Sequence, residues 1–143
     1  TVDPARLRAD DDAKREALQR FRKAREAVGE LTLAKLKRLP EALRIELPDQ
    51  TGMLVVHGSP RDAAEPFSFD MSDDEMEALV GDDPADLILC GGGHVPFERA
   101  LDAVRVVCVG SVGEAPEGGV AHYALVSPTP EGPRVDLRWV RYT

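Results

Sequence analysis

A chain of 143 residues, 43% hydrophobic and 31% charged, is long enough for one globular core. No apolar run approaches the roughly 20 residues that span a bilayer, and the polar opening Thr1–Asp12 has no signal-peptide pattern. The net charge of −8 is uneven: residues 1–47 hold 12 Lys/Arg against 9 Asp/Glu, and residues 48–143 hold 6 against 17. An acidic body of that kind argues against nonspecific nucleic-acid binding.

In chain order, Asp10-Asp11-Asp12 places carboxylates where a helix N-terminus favours them. Ala13, Ala17, Phe21, Ala24 and Val28 then recur at helical spacing, with Lys and Arg on the other faces, and Gly29 ends the run. Thr32 is the expected cap of a short second helix through Arg38, which Pro40 stops. Leu43–Leu47 alternates apolar and charged, as a half-exposed strand does. Met53–Val56 reads as a fully buried strand. A polar loop with Pro60 and Pro66 follows, and Ser72 with Glu75 forms a capping box for a helix through Val80. Leu87–Cys90, Val104–Val109, Ala121–Val126 and Val135–Tyr142 are the remaining strands. Cys90 and Cys108 each lie in an apolar run and read as reduced core thiols of a cytoplasmic protein.

Three loops directly follow buried strands: His57-Gly58-Ser59-Pro60, Gly91-Gly92-Gly93-His94-Val95-Pro96-Phe97 and Gly110-Ser111-Val112-Gly113. Strand C-terminal ends are the usual place for sites in open α/β sheets. His57 and His94 are therefore the candidate metal ligands, and Gly58, Ser59, Gly92, Gly93, Gly110 and Ser111 the candidate phosphate-loop residues. No catalytic residue is assigned: Ser59 and Ser111 have no base placed to activate them, and the triple glycine lacks a P-loop ending. His122 lies within a strand and reads as structural.

The order of these pieces resembles the C-terminal half of calcineurin-like metallophosphoesterases of the small bacterial and archaeal phosphodiesterase type. Leu54-Val55-Val56-His57-Gly58-Ser59-Pro60 is similar to the family's strand ending in His-Gly-Ser/Thr-Pro. Leu89-Cys90-Gly91-Gly92-Gly93-His94-Val95-Pro96-Phe97 is similar to Cys-Gly-His-Thr-His-Val-Pro-Phe. Val109-Gly110-Ser111-Val112-Gly113 and Ala121-His122-Tyr123-Ala124-Leu125 follow in the family's order, so the likeness runs from about Leu31 to Tyr142.

The resemblance implies an α/β fold: half of an αββα sandwich, with a helical segment 1–42 and a mostly β part 43–143 in a single domain 1–143. It also implies a divalent metal (Mn, Fe, Zn or Ni), for which His57 and His94 match family ligands. The family's first histidine of Gly-His-Thr-His is Gly92 here, its Thr is Gly93, and its Asn-Pro is Cys108-Val109. The family's N-terminal motifs, Asp-x-His, Gly-Asp and Gly-Asn-His/Asp, have no counterpart, since Asp3, Asp10, Asp11 and Asp12 fit none of them. Two histidines do not hold the two ions that such catalysis needs.

The expectation is thus a truncated, degenerate member that is inactive alone and acts through binding, as a homo-oligomer or with a chain carrying the N-terminal half. The alternatives are a metal-dependent phosphodiesterase or phosphatase completed by a separate half, and a module that binds a nucleotide or phosphorylated ligand without cleaving it.

Overall fold

The structure, a computed structural model, describes residues 12–142. The carboxylates of Asp10 and Asp11, and Asp3, lie outside the described residues. Two compact units divide the chain, one ending at Pro40 and the other beginning at Glu41.

The first unit is helical. Helix α1 (Asp12–Val28) carries the alanine and Phe21 stripe, and Phe21 remains 47% exposed. Gly29, at φ 75°, ends α1 and is at once the N-cap of α2 (Glu30–Leu36). The second helix therefore starts two residues before Thr32, the expected cap. A glycine in a positive-φ conformation turns the chain so sharply that α2 begins directly after it, without a side-chain cap. Helix α2 buries none of its residues.

The second unit is built on a five-stranded mixed sheet in the order β1-β2-β3-β5-β4, with a separate two-stranded sheet β6-β7. Its strands are β1 (Ala42–Glu46), β2 (Gly52–Val56), β3 (Leu87–Cys90), β4 (Phe97–Ala100), β5 (Arg105–Cys108), β6 (Val120–Ser127) and β7 (Arg134–Arg141). The central strands β2, β3 and β5 are parallel, and both edges are antiparallel. Burial on both faces is why these central strands read as unbroken apolar runs.

One face of the large sheet packs under helix α3 (Asp73–Val80): Leu54, Val56, Ile88, Cys90, Val106 and Cys108 meet Met76, Leu79, Val80 and Phe67. The other face presents Met53, Leu87, Leu89 and Val107 to Val126, Val135 and Leu137 of the hairpin. Strand β1 is exposed along its whole length, where alternation had suggested half-exposure. As the edge strand it has no neighbour on one side, and neither layer covers it, so Leu43 and Ile45 stay open to solvent.

Helix α3 has both bonds of its capping box: Glu75 N donates to Ser72 Oγ at 3.3 Å, and Ser72 N to Glu75 Oε2 at 2.8 Å. Ser72→Ala is expected to cost about 1 kcal/mol, read from the urea midpoint. Arg44 on β1 donates to Asp83 (Nη1–Oδ1 3.0 Å), and this bond holds the Asp83 carboxyl below its usual range. A lowered carboxyl contributes stability above its unfolded value and loses it as pH falls through the folded one. Urea midpoints of the parent and Asp83→Asn should therefore differ near neutrality and converge as pH falls through the lowered Asp83 carboxyl range. Among the described residues, no helix is long and apolar enough to cross a membrane.

Candidate functional site

The candidate loops leave the C-terminal ends of the three parallel strands. His57 follows β2 with its side chain exposed, and its carbonyl accepts from Gly91 N at 3.0 Å and Gly92 N at 2.7 Å. The first two loops are thus joined through backbone. His94 takes φ 59°, a left-handed conformation rarely held by a side-chain-bearing residue, and its Nδ1 lies 3.5 Å from Glu114 Oε2. That contact links the second loop to the segment after the third.

Gly58, Gly92 and Gly93 lie against the chain segment that follows β2. A Cβ on Gly58 would fall 2.6 Å from the Ala63 carbonyl oxygen. One on Gly92 would stand 2.9 Å from Pro66 Cβ and 3.1 Å from the His57 oxygen. One on Gly93 would meet the Phe67 oxygen at 2.3 Å. The separations from Ala63, Pro66 and Phe67 are closer than real Cβ atoms tolerate, so the absent side chains are what let residues 62–67 pack onto both loops. Phe67 anchors that segment, fully buried in the core beneath α3. A histidine Cβ at position 92 would therefore press on Pro66 unless the segment 62–67 shifts.

Ser59 is buried, and its hydroxyl serves its own turn: Oγ donates to the Asp62 oxygen and accepts from Asp62 N, both at 3.1 Å. Ser111 Oγ accepts from Glu114 N at 2.9 Å. His122 is buried on β6 and accepts the Ser111 amide at Nδ1 (3.2 Å), while its own amide donates to the Ser111 oxygen at 3.0 Å. An accepting Nδ1 leaves the proton of the neutral ring on Nε2, which faces Glu117 Oε2 at 3.9 Å. Gly110, at φ 96°, lies directly against the His122 ring, where a Cβ would be 2.6 Å from Nδ1. His122 therefore shapes the third loop, a role its strand position alone did not reveal.

Cys90 and Cys108 are both unpaired and buried, and they stand opposite each other across β3 and β5. A hydrogen bond from Cys90, together with the Gly110 and Gly93 amides, holds the Cys108 thiol down to about 6 against the effect of burial. The same bond, reinforced by burial, pushes the Cys90 thiol up. Two amides of the candidate phosphate loops are thus directed at a sulfur atom. The apolar runs around both cysteines mark them as core thiols, and their placement at matching strand ends is the signal of their pairing.

Among the described residues no three or more His, Cys, Asp or Glu side chains are grouped to hold a metal. His94 has the Glu114 carboxylate beside it, but that pair is not joined by a third donor, so the grouped side chains fall short of a two-metal centre.

No family model matches the chain, and no curated protein matches it. Among solved structures, hypothetical protein PH1004 from Pyrococcus horikoshii OT3 has a TM-score of 0.76 at 24% identity, covering 98% of this chain and 54% of that one. This likeness is one of fold, and the chain spans little more than half of that protein's length. Two others match less of the chain. Protein TM1076 of Thermotoga maritima is 22% identical, with a TM-score of 0.46, covering 73% of this chain and 57% of that one. Vps29 of Entamoeba histolytica, solved as a Zn²⁺ complex, is 15% identical, with a TM-score of 0.48, covering 73% and 62%.

Proposed function

We propose that this chain is a degenerate metallophosphoesterase-like half that acts by binding rather than by catalysis. The observation that carries this reading is the closure at Gly92, where Pro66 and the His57 carbonyl stand in the path of the ligand side chain that the family resemblance would require. A partner that supplied N-terminal ligands would still meet that closed position.

The partner we infer is a second copy of the chain. A two-stranded hairpin opposes a five-stranded sheet, which leaves apolar side chains uncovered. Leu43 and Ile45 lie on the face that carries Met53 and Val55, their register partners, and are 49% and 38% exposed. Trp139 lies on the hairpin face that carries Val135 and Leu137, four and two residues away, yet is 57% exposed. Apolar residues left open on two facing layers favour association.

Light-scattering chromatography tests this: a mass of two or more chains is expected, falling toward one chain in Leu43→Asp with Trp139→Asp. A monomeric parent across the micromolar range would overturn the self-association. The second reading is a phosphodiesterase completed by a separate N-terminal half, and it draws on the solvent-facing position of His57 at the end of β2. Mn²⁺-dependent hydrolysis of an aryl phosphodiester on mixing with such a chain would favour it over the binding role.

A further inference from the structure

We propose that Cys90 and Cys108 form an oxidisable dithiol, at which a hydroperoxide installs a disulfide between β3 and β5. This inference does not depend on the binding role above. Three observations carry it. The two residues are Cα partners in the parallel register, so both side chains project from the same sheet face. Neighbouring strands lie about 4.8 Å apart, within the roughly 4.4–6.8 Å between Cα atoms that a disulfide spans. The amides of Gly93 and Gly110 donate to the Cys108 sulfur, an arrangement that favours its anionic, nucleophilic form. Cys90, whose single S–H is shared between the Cys108 sulfur and the Val107 oxygen 3.6 Å away, keeps its proton.

This asymmetry assigns the roles. The Cys108 thiolate attacks the peroxide, forming an S–O bond as the O–O bond breaks and hydroxide leaves. The Cys90 sulfur then attacks Cys108, forming the S–S bond as the S–O bond breaks. The departing hydroxide takes the Cys90 proton and leaves as water. With hydrogen peroxide, the first hydroxide takes up the proton that Cys108 released on ionising, so two thiols are oxidised by two electrons, one peroxide is reduced, and two waters form. The half-exposed Gly93 stands beside the Cys108 sulfur, its Cβ position only 3.4 Å away, so the fully buried thiolate lies directly under the glycine loop on which residues 62–67 pack.

The experiment treats the folded, reduced chain with hydrogen peroxide, then unfolds it in N-ethylmaleimide and measures intact mass. The expected result is a fall from two adducts per chain to none, with the mass of two hydrogens lost and Cys90 linked to Cys108 in the non-reduced digest. Cys90→Ser should instead stop at a Cys108 sulfenic acid that dimedone traps. Should that variant fail to fold, phenylarsine oxide offers the second reading on the unsubstituted chain. One arsenical per reduced chain, bridging both sulfurs and excluded after peroxide, is expected. Two free thiols after peroxide, a disulfide between separate chains, or no arsenical uptake would each overturn the proposal.

Discussion

Gly93→Ala is expected to destabilise the sheet unit by about 3 kcal/mol, because the new methyl would lie 2.3 Å from the Phe67 carbonyl oxygen. The obstructing atom belongs to the backbone of a fully buried residue, so no side-chain rotation relieves it. Accommodation requires residues 62–67 to lift from the glycine loop and Phe67 to leave the core beneath α3. Urea unfolding should show the midpoint fall with the slope unchanged. Gly113→Ala is the control: nothing lies within 4 Å of its Cβ position and its φ is not positive, so the change should stay within about 0.5 kcal/mol. Equal effects at the two positions would refute the close packing of the segment on the loop.

Gly110→Ala should be comparably costly, about 3 kcal/mol, for two separable reasons. At φ 96° any side chain is strained, at roughly 1–3 kcal/mol. In addition, the methyl would overlap the buried His122 ring at 2.6–2.9 Å, and that ring is fixed by the Ser111 amide. A double-mutant cycle separates the terms. In a His122→Ala background the overlap disappears and only the backbone strain remains, so the penalty for Gly110→Ala should fall to roughly 1–2 kcal/mol. Additive effects would mean that His122 does not press on Gly110.

These two glycines illustrate what was legible in the sequence and what was not. Strands β2, β3 and β5 stood out because burial on both faces leaves almost wholly apolar runs, with Arg105 at the start of β5 the exception. Helix α3 was legible from its cap, since Ser72 and Glu75 satisfy the first-turn amides locally. Strand β4 was not: Phe97–Ala100 is four residues long, joined to the loop before it, and formed by pairing with β5 rather than by its own pattern.

The candidate loops were visible as loops at strand ends, and their glycines suggested a place for a ligand to approach. The atoms that approach Gly58, Gly92 and Gly93 most closely belong to this chain's own residues 62–67. No local signal distinguishes a glycine that admits a ligand from one that admits a neighbouring loop, because both need only the missing Cβ. The same limit applies to Cys90 and Cys108, whose pairing depends on β3 and β5 being register neighbours across 14 intervening residues that include β4.

The proposed binding role turns on whether His57 and His94 hold metal ions. The most direct measurement is metal content per chain after reconstitution with excess Mn²⁺ and desalting, made on the parent, on His57→Ala with His94→Ala, and on Gly92→His. The expected result is well below one ion per chain in all three, with Gly92→His also less stable because Pro66 obstructs the new side chain. About two ions per chain in the parent, as two-metal catalysis requires, and lost on removal of the two histidines, would contradict it and return the chain to the catalytic reading.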